Sequence, residues 1–292
     1  MSLSNVEHVL TARARLGECP VWDPERALLA WVDVYNHRVH QFDPATGVDR
    51  YCDTGEVVAA LALTNSERLL IALRDRLALL APETGTLEIV RRLELGHPET
   101  RLNDGKCDAR GRFWVGSASK HPGDAALYRY DPDGSLQVME TGLTISNGIG
   151  WSPDGKTFYL TDSPARKIYA YRFDAAAGTI TDRRVLVDLG GEACEPDGLA
   201  IDREGHLWSA LWDGWCVVCF DSNGCELGRE SLPVQRPTSL TFGGGALGDL
   251  YVTSASVGLS QAEVQRSVWA GDLFRIATGR AGLPAHRFAV NA

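Results

Sequence analysis

Four oxygen-bearing side chains, Glu18, Asn103, Asn147 and Asp197, fall at equivalent points of a repeating pattern in the sequence. Three segments carry the pattern in full: NDGKCDARGRFWVGS from Asn103, NGIGWSPDGKTFYLTD from Asn147 and DGLAIDREGHLWSAL from Asp197. Counted from the leading residue, a turn former stands at +5 (Asp108, Ser152, Asp202), a glycine at +8 (Gly111, Gly155, Gly205) and a large aromatic at +11 (Trp114, Phe158, Trp208). A weaker copy starts at Glu18, with Asp23 at +5. Any one of these residues alone has an ordinary reading, since an Asn or Asp before Gly is usually a turn residue. Aimed together at one point, two carboxylates and two amides would repel or go unsatisfied unless a cation or polar ligand sat among them. An all-oxygen set without His or Cys favours Ca2+, Mg2+ or Mn2+ over a structural zinc site. Ca2+ ranks first, with Zn2+ or Fe2+ as alternatives in an open, partly hydrated site.

Arg101 stands two residues before Asn103, so on an extended strand both point to one face. There it would hold an oxyanion or a substrate hydroxyl. Other chemistry is poorly supported. His37 and His40 lie three apart on an expected strand, and His97, His121, His206 and His286 are scattered through turns. No G-x-S-x-G nucleophile context occurs. Cys216 and Cys219 form a C-x-x-C inside an apolar run that reads as a strand, where residues three apart face opposite ways and cannot share a zinc ion.

The elements that would position these side chains are strands. Short runs rich in Val, Ile, Leu, Trp and Tyr recur, broken by Asp-Pro, Asp-Gly and Gly turns. Each unit reads as strand, tight turn, strand, and then a third strand ending in a turn, as in Ala126 to Gly134 and Val39 to Gly47. Further units begin near Ala60 and Thr238, which makes six of roughly 40–50 residues. Units of that length with about four strands suit propeller blades. The expected fold is therefore all-β, a six-bladed β-propeller forming one domain over residues 1–292. The run from His8 to Arg13 would complete the last blade, and the one helical insert would begin at Ser260. Residues at one phase of successive blades share a height around the axis. The four oxygen donors would then converge at one mouth, just before the inner strands, with gaps at the second and sixth blades for ligand entry.

Bulk properties narrow the function. The chain has 292 residues, 44% hydrophobic and 23% charged, the balance of a soluble globular protein. A net charge of −9 argues against nucleic acid, whose binding rewards basic patches. No apolar run approaches the ~20 residues that span a bilayer, and the opening Met1 to Asn5 lacks a secretory pattern. Seven scattered cysteines then read as reduced thiols, and the expected location is cytoplasmic.

Taken in order and spacing, several motifs resemble the SMP-30/gluconolactonase/luciferin-regenerating (regucalcin-like) family, of the bacterial sugar lactonase type. They are LGECPVW from Leu16, RLNDGK from Arg101, SNG from Ser146, PDG from Pro196, RPTS from Arg236 and AGDLF from Ala270. The resemblance covers nearly the whole chain. It implies a six-bladed propeller and a divalent metal held by Glu18, Asn147 and Asp197. It also implies substrate contacts from Arg101 and Asn103. In animal members the loop after the third blade's second strand carries acidic residues that reach the sugar. Here that loop runs from Ser119 to Asp124, and His121 is the candidate to take over part of the role. The implied reaction is metal-dependent hydrolysis of an aldonolactone such as gluconolactone or xylonolactone, with Asp197 as the catalytic acid–base group. The expected partner is a small sugar lactone, and the expected assembly a monomer or weak homo-oligomer. Three rival readings remain: a calcium-binding regulatory propeller without important catalysis, an interaction platform, and a hydrolase of another ester or phosphotriester.

Overall fold

A computed structural model describes residues 5–290; Met1 to Ser4, part of the stretch read for a targeting signal, lie outside the described residues. The described residues form six four-stranded antiparallel sheets arranged as a six-bladed β-propeller. The innermost strands are Gly17–Asp23, Val58–Leu63, Arg101–Cys107, Ser146–Trp151, Glu195–Ile201 and Pro237–Gly243. In the first five blades the chain simply steps outward, strand by strand. The sixth borrows its outer strand from the start of the chain: Val6–Leu10 pairs antiparallel with Leu273–Ala277, Val6 opposite Ile276.

Strand composition follows radial position. The inner strand Gly17–Asp23 is buried throughout, whereas the outer strand Val48–Asp53 is mostly exposed and carries Asp49, Arg50 and Asp53. The repeat signature is turn chemistry. Asp108 Oδ1 accepts the backbone N–H groups of Arg110 and Arg112, while its Oδ2 accepts the Trp114 indole N–H at 2.9 Å. Asp202 does the same for Glu204, His206 and Trp208. The glycines at the +8 positions, Gly111, Gly155 and Gly205, all take positive φ, a conformation that costs glycine no steric strain. One aspartate thus closes the hairpin and anchors the aromatic that fills the space between blades.

Packing is between neighbouring sheets. Trp114 and Leu127 of the third blade meet Ile149 and Phe158 of the fourth, and Trp22 and Trp31 of the first meet Tyr251 and Leu273 of the sixth. Cys216 packs toward the fourth blade and Cys219 toward the sixth, on opposite faces of one strand as the two-residue period requires. All seven cysteines are free. The expected helix is a short one, Gln261–Arg266, started by a capping box between Ser260 and Glu263. No helix among the described residues is long and apolar enough to cross a membrane.

Closure through Val6–Leu10 carries a consequence. His8 Nε2 lies 2.9 Å from Asp272 Oδ2, and Glu7 pairs with Arg275. Deleting residues 1–10 would bare the Leu273–Ala277 edge. The unfolding midpoint is expected to fall by roughly 5–10 °C, with association visible by light scattering. An unchanged midpoint and a monodisperse product would contradict this role for the strand.

Candidate active site at the channel mouth

Each innermost strand carries an irregularity in register at the same height. It falls between Glu18 and Val21, Val58 and Ala60, Leu102 and Gly105, Asn147 and Ile149, Pro196 and Leu199, and Pro237 and Leu240. A bulge inserts an extra residue and re-aims side chains, which explains why the phase of the repeat marks one level of the channel. The repeat spacing by itself puts the four oxygen donors just ahead of the inner strands. They lie inside them instead, as second or third residue, because each strand starts pairing before its bulge.

The glycine after Asn147 is required by space. Gly148 has φ +31°, and a Cβ there would sit 2.3 Å from Thr161 Oγ1 and 2.5 Å from the backbone oxygen of Asp197. The inner strands of the fourth and fifth blades therefore touch through backbone at the level of the site. Gly148→Ala is expected to destabilise the fold by about 2 kcal/mol or more and to displace Asp197. A thermal scan with wild-type midpoint would contradict that.

Glu18, Asn103, Asn147 and Asp197 are all buried, with relative exposures of 7, 9, 5 and 4%. Their hydrogen bonds are incomplete. Asn103 is held at both ends: Arg101 Nη1 donates to its Oδ1 at 2.7 Å, and its Nδ2 donates to the Ser146 carbonyl at 3.1 Å. Asn147 Nδ2 donates to Ser163 Oγ at 3.1 Å, which leaves its carbonyl end free to face a ligand. Oδ1 of Asn147 and Oδ1 of Asp197 are buried without a hydrogen-bond partner among the described residues. Two orphaned oxygens at one level, next to the Glu18 carboxylate, are what a hard cation would satisfy.

The electrostatics agree. Burial, and then the charge of Asp104, push the Glu18 carboxyl up to about 8; the Cys19 N–H and Arg101 oppose this. Burial, followed by repulsion from Glu18, Asp104 and Glu195, raises Asp197 well above the usual carboxylate range. The carboxylates sense one another and would rather be neutral than crowd together as anions. A cation reverses that preference.

Two further residues of the RLNDGK motif, Asp104 and Lys106, join the site without any signal in the repeat spacing. Asp104 occupies the position where Gly148 and Gly198 stand in the other units, so it reads as a turn residue. It is buried, and burial raises its pKa against the opposing pull of Lys106. Lys106 Nζ donates to the Leu199 carbonyl at 2.7 Å, tying the third blade to the fifth across the channel. Asp104 and Lys106 form a charged layer next to the ring of donors. Lys106 also borders a cavity of about 370 Å3, lined in addition by Leu283, Pro284 and His286 of the tail.

His121 is not drawn into the buried ring. It sits half-exposed in the loop after the strand Phe113–Ala118. That loop shares the mouth with Arg101, because Arg101 pairs with Ala118. There His121 meets His97 and Glu99, a grouping that no sequence spacing marks.

Comparison with known proteins places the chain among relatives. Residues 16–256 match the family described as SMP-30/Gluconolactonase/LRE-like region. The chain is 36% identical over 286 residues to a protein of Haloferax volcanii named Pentonolactonase XacC, covering 97% of each. It is 35% identical to regucalcin of Gallus gallus, over 99% of this chain and all of that one. Among solved structures, a calcium-binding protein, regucalcin, of Agrobacterium tumefaciens superposes with a TM-score of 0.92 at 27% identity, over 96% of both chains.

Proposed function

The chain belongs to the SMP-30/gluconolactonase/LRE-like family, and from that premise we propose that it hydrolyses a sugar lactone with the help of one divalent cation held by Glu18, Asn147 and Asp197. The observation that carries this reading is the pair of orphaned Oδ1 atoms of Asn147 and Asp197 beside a buried glutamate. The Haloferax relative's name, a pentonolactonase, supports lactones as the substrate class. The regucalcin relatives, one of them named a calcium-binding protein, support Ca2+ as first choice of ion, with Zn2+, Mg2+, Mn2+ and Fe2+ to be tested beside it.

A bound divalent cation would supply Lewis acidity toward the lactone carbonyl and the attacking water. The chain's own residues do the rest. Asp197, whose buried carboxyl holds a proton more tightly than a surface aspartate, accepts the proton of the attacking water on a carboxylate oxygen. It then returns that proton to the ring oxygen as the carbon–oxygen bond breaks, so the acid–base group ends as it began. Arg101, locked to Asn103 by the 2.7 Å hydrogen bond, presents its remaining N–H groups to a sugar hydroxyl or the developing oxyanion. Asn103, fixed through the Ser146 carbonyl, orients the ring. His121, at the rim, would meet the part of the sugar farthest from the ion.

The donor set suits calcium storage as well as catalysis, so turnover decides between them. Acid release from glucono-, xylono-, arabinono- and galactonolactone is expected to exceed the spontaneous rate for at least one, and the ranking names the sugar. No acceleration of any lactone would overturn the enzyme reading in favour of ion binding alone.

A further inference from the structure

We propose that His97, Glu99 and His121 form a second cation site at the rim of the mouth, suited to a borderline transition ion such as Zn2+, that clasps the 119–124 loop to the segment leading into the third blade. One ligand atom from each of these three residues lies within 4.8 Å of the others. The two imidazoles meet edge to face, with centroids 4.6 Å apart, and Glu99 Oε2 lies 3.7 Å from His121 Nε2. Two imidazoles and one carboxylate, with solvent free to complete the shell, form a donor set that zinc favours. The buried ring differs in kind, being all oxygen.

The chain geometry gives the site a consequence. His97 and Glu99 lie just ahead of the strand Arg101–Cys107, which carries Arg101 and Asn103, and His121 belongs to the loop leaving the neighbouring strand Phe113–Ala118. An ion bridging the two would fix the rim loop beside the substrate-contact residues. Ligation gives up little. The Lys120 ammonium, 3.1 Å from Glu99, is exposed, and the contact between His97 Nδ1 and the Glu99 N–H is a long 3.2 Å.

One other group, Asp202, Glu204 and His206, also brings three ligand atoms within 4.8 Å. Its groups are already engaged. Asp202 accepts the Trp208 indole N–H and the His206 backbone N–H, His206 Nδ1 lies 2.9 Å from Asp202 Oδ2, and the Arg280 guanidinium contacts both Glu204 and His206. It serves the hairpin turn and makes a useful control.

The inference does not depend on the lactone reading, and its test separates the two. The full chain, stripped with chelator, is titrated calorimetrically with Zn2+ alone. Relative to wild type, His97→Ala, Glu99→Gln and His121→Ala are each expected to weaken one class of zinc binding at least tenfold. His206→Ala and Asp197→Asn should leave that class in place, and unfolding midpoints check that all variants fold. The proposal is overturned if the His97→Ala, His121→Ala double variant binds zinc as wild type does, or if the loss follows His206→Ala instead.

Discussion

Asp197→Asn is expected to lower the turnover of the preferred lactone by roughly 10²–10⁴-fold at saturating metal, the range over which a positioned acid–base group acts. The amide keeps the shape and one oxygen for the ion, so the loss falls on the proton transfer. The fold should not suffer. Asp197 is buried among Glu18, Asp104 and Glu195, which all push its pKa upward, and the substitution removes one of these crowded charges. In metal-free protein the sign follows from the raised pKa. The folded chain binds this proton more tightly than the unfolded chain, so stability rises as pH falls through the raised value toward the unfolded range near ~4. The asparagine variant lacks that dependence, and its stability relative to wild type is greatest at high pH. Steady-state rates with a chemical denaturation series at two pH values test both halves. A variant with wild-type kcat would remove Asp197 from the mechanism.

Glu18→Gln addresses the ion rather than the proton. Glu18 supplies the other full negative charge proposed for the ion, and ligand charge count sets the affinity of hard-cation sites. Affinity for the activating ion is expected to fall by at least ~100-fold, about 2.7 kcal/mol. Turnover should drop in parallel at limiting metal and recover in part when metal is raised. The same substitution removes a carboxyl that burial and Asp104 push to about 8, so the metal-free fold should tolerate it well. Calorimetric titration of wild type and variant gives the comparison. Equal affinities would place the ion elsewhere.

The fold was legible because its repeat is written in local chemistry. An aspartate that closes a turn and holds the indole six residues later, with a positive-φ glycine between them, leaves a fixed spacing in the sequence; Asp108–Gly111–Trp114 and Asp202–Gly205–Trp208 show it. The opposed faces of Cys216 and Cys219 follow from the two-residue period of extended chain, and the closing strand near His8 from its place ahead of the first full unit. The bulges were not, since register is a relation between two strands that neither spells out alone. They moved Glu18, Asn103, Asn147 and Asp197 from before the strands to within them. Asp104 stayed hidden by standing where its counterparts are glycines. The meeting of His97 with His121 depends on where two loops end, which no spacing encodes. The course of the tail is likewise tertiary. Arg287 donates to Asp23 at 2.8 Å, and Phe288 stacks on Tyr130 with centroids 5.4 Å apart, contacts between residues far apart in the chain.

Under the proposed function, lactone opening requires an ion held by Glu18, Asn147 and Asp197. The most direct measurement is acid release from the best lactone by chelator-stripped protein, before and after single divalent ions are added back. Stripping is expected to lower the rate to the spontaneous level and one or a few ions to restore it, a recovery absent in Glu18→Gln at the same limiting concentration. Full activity in stripped protein, or equal recovery by wild type and Glu18→Gln at that concentration, would contradict it.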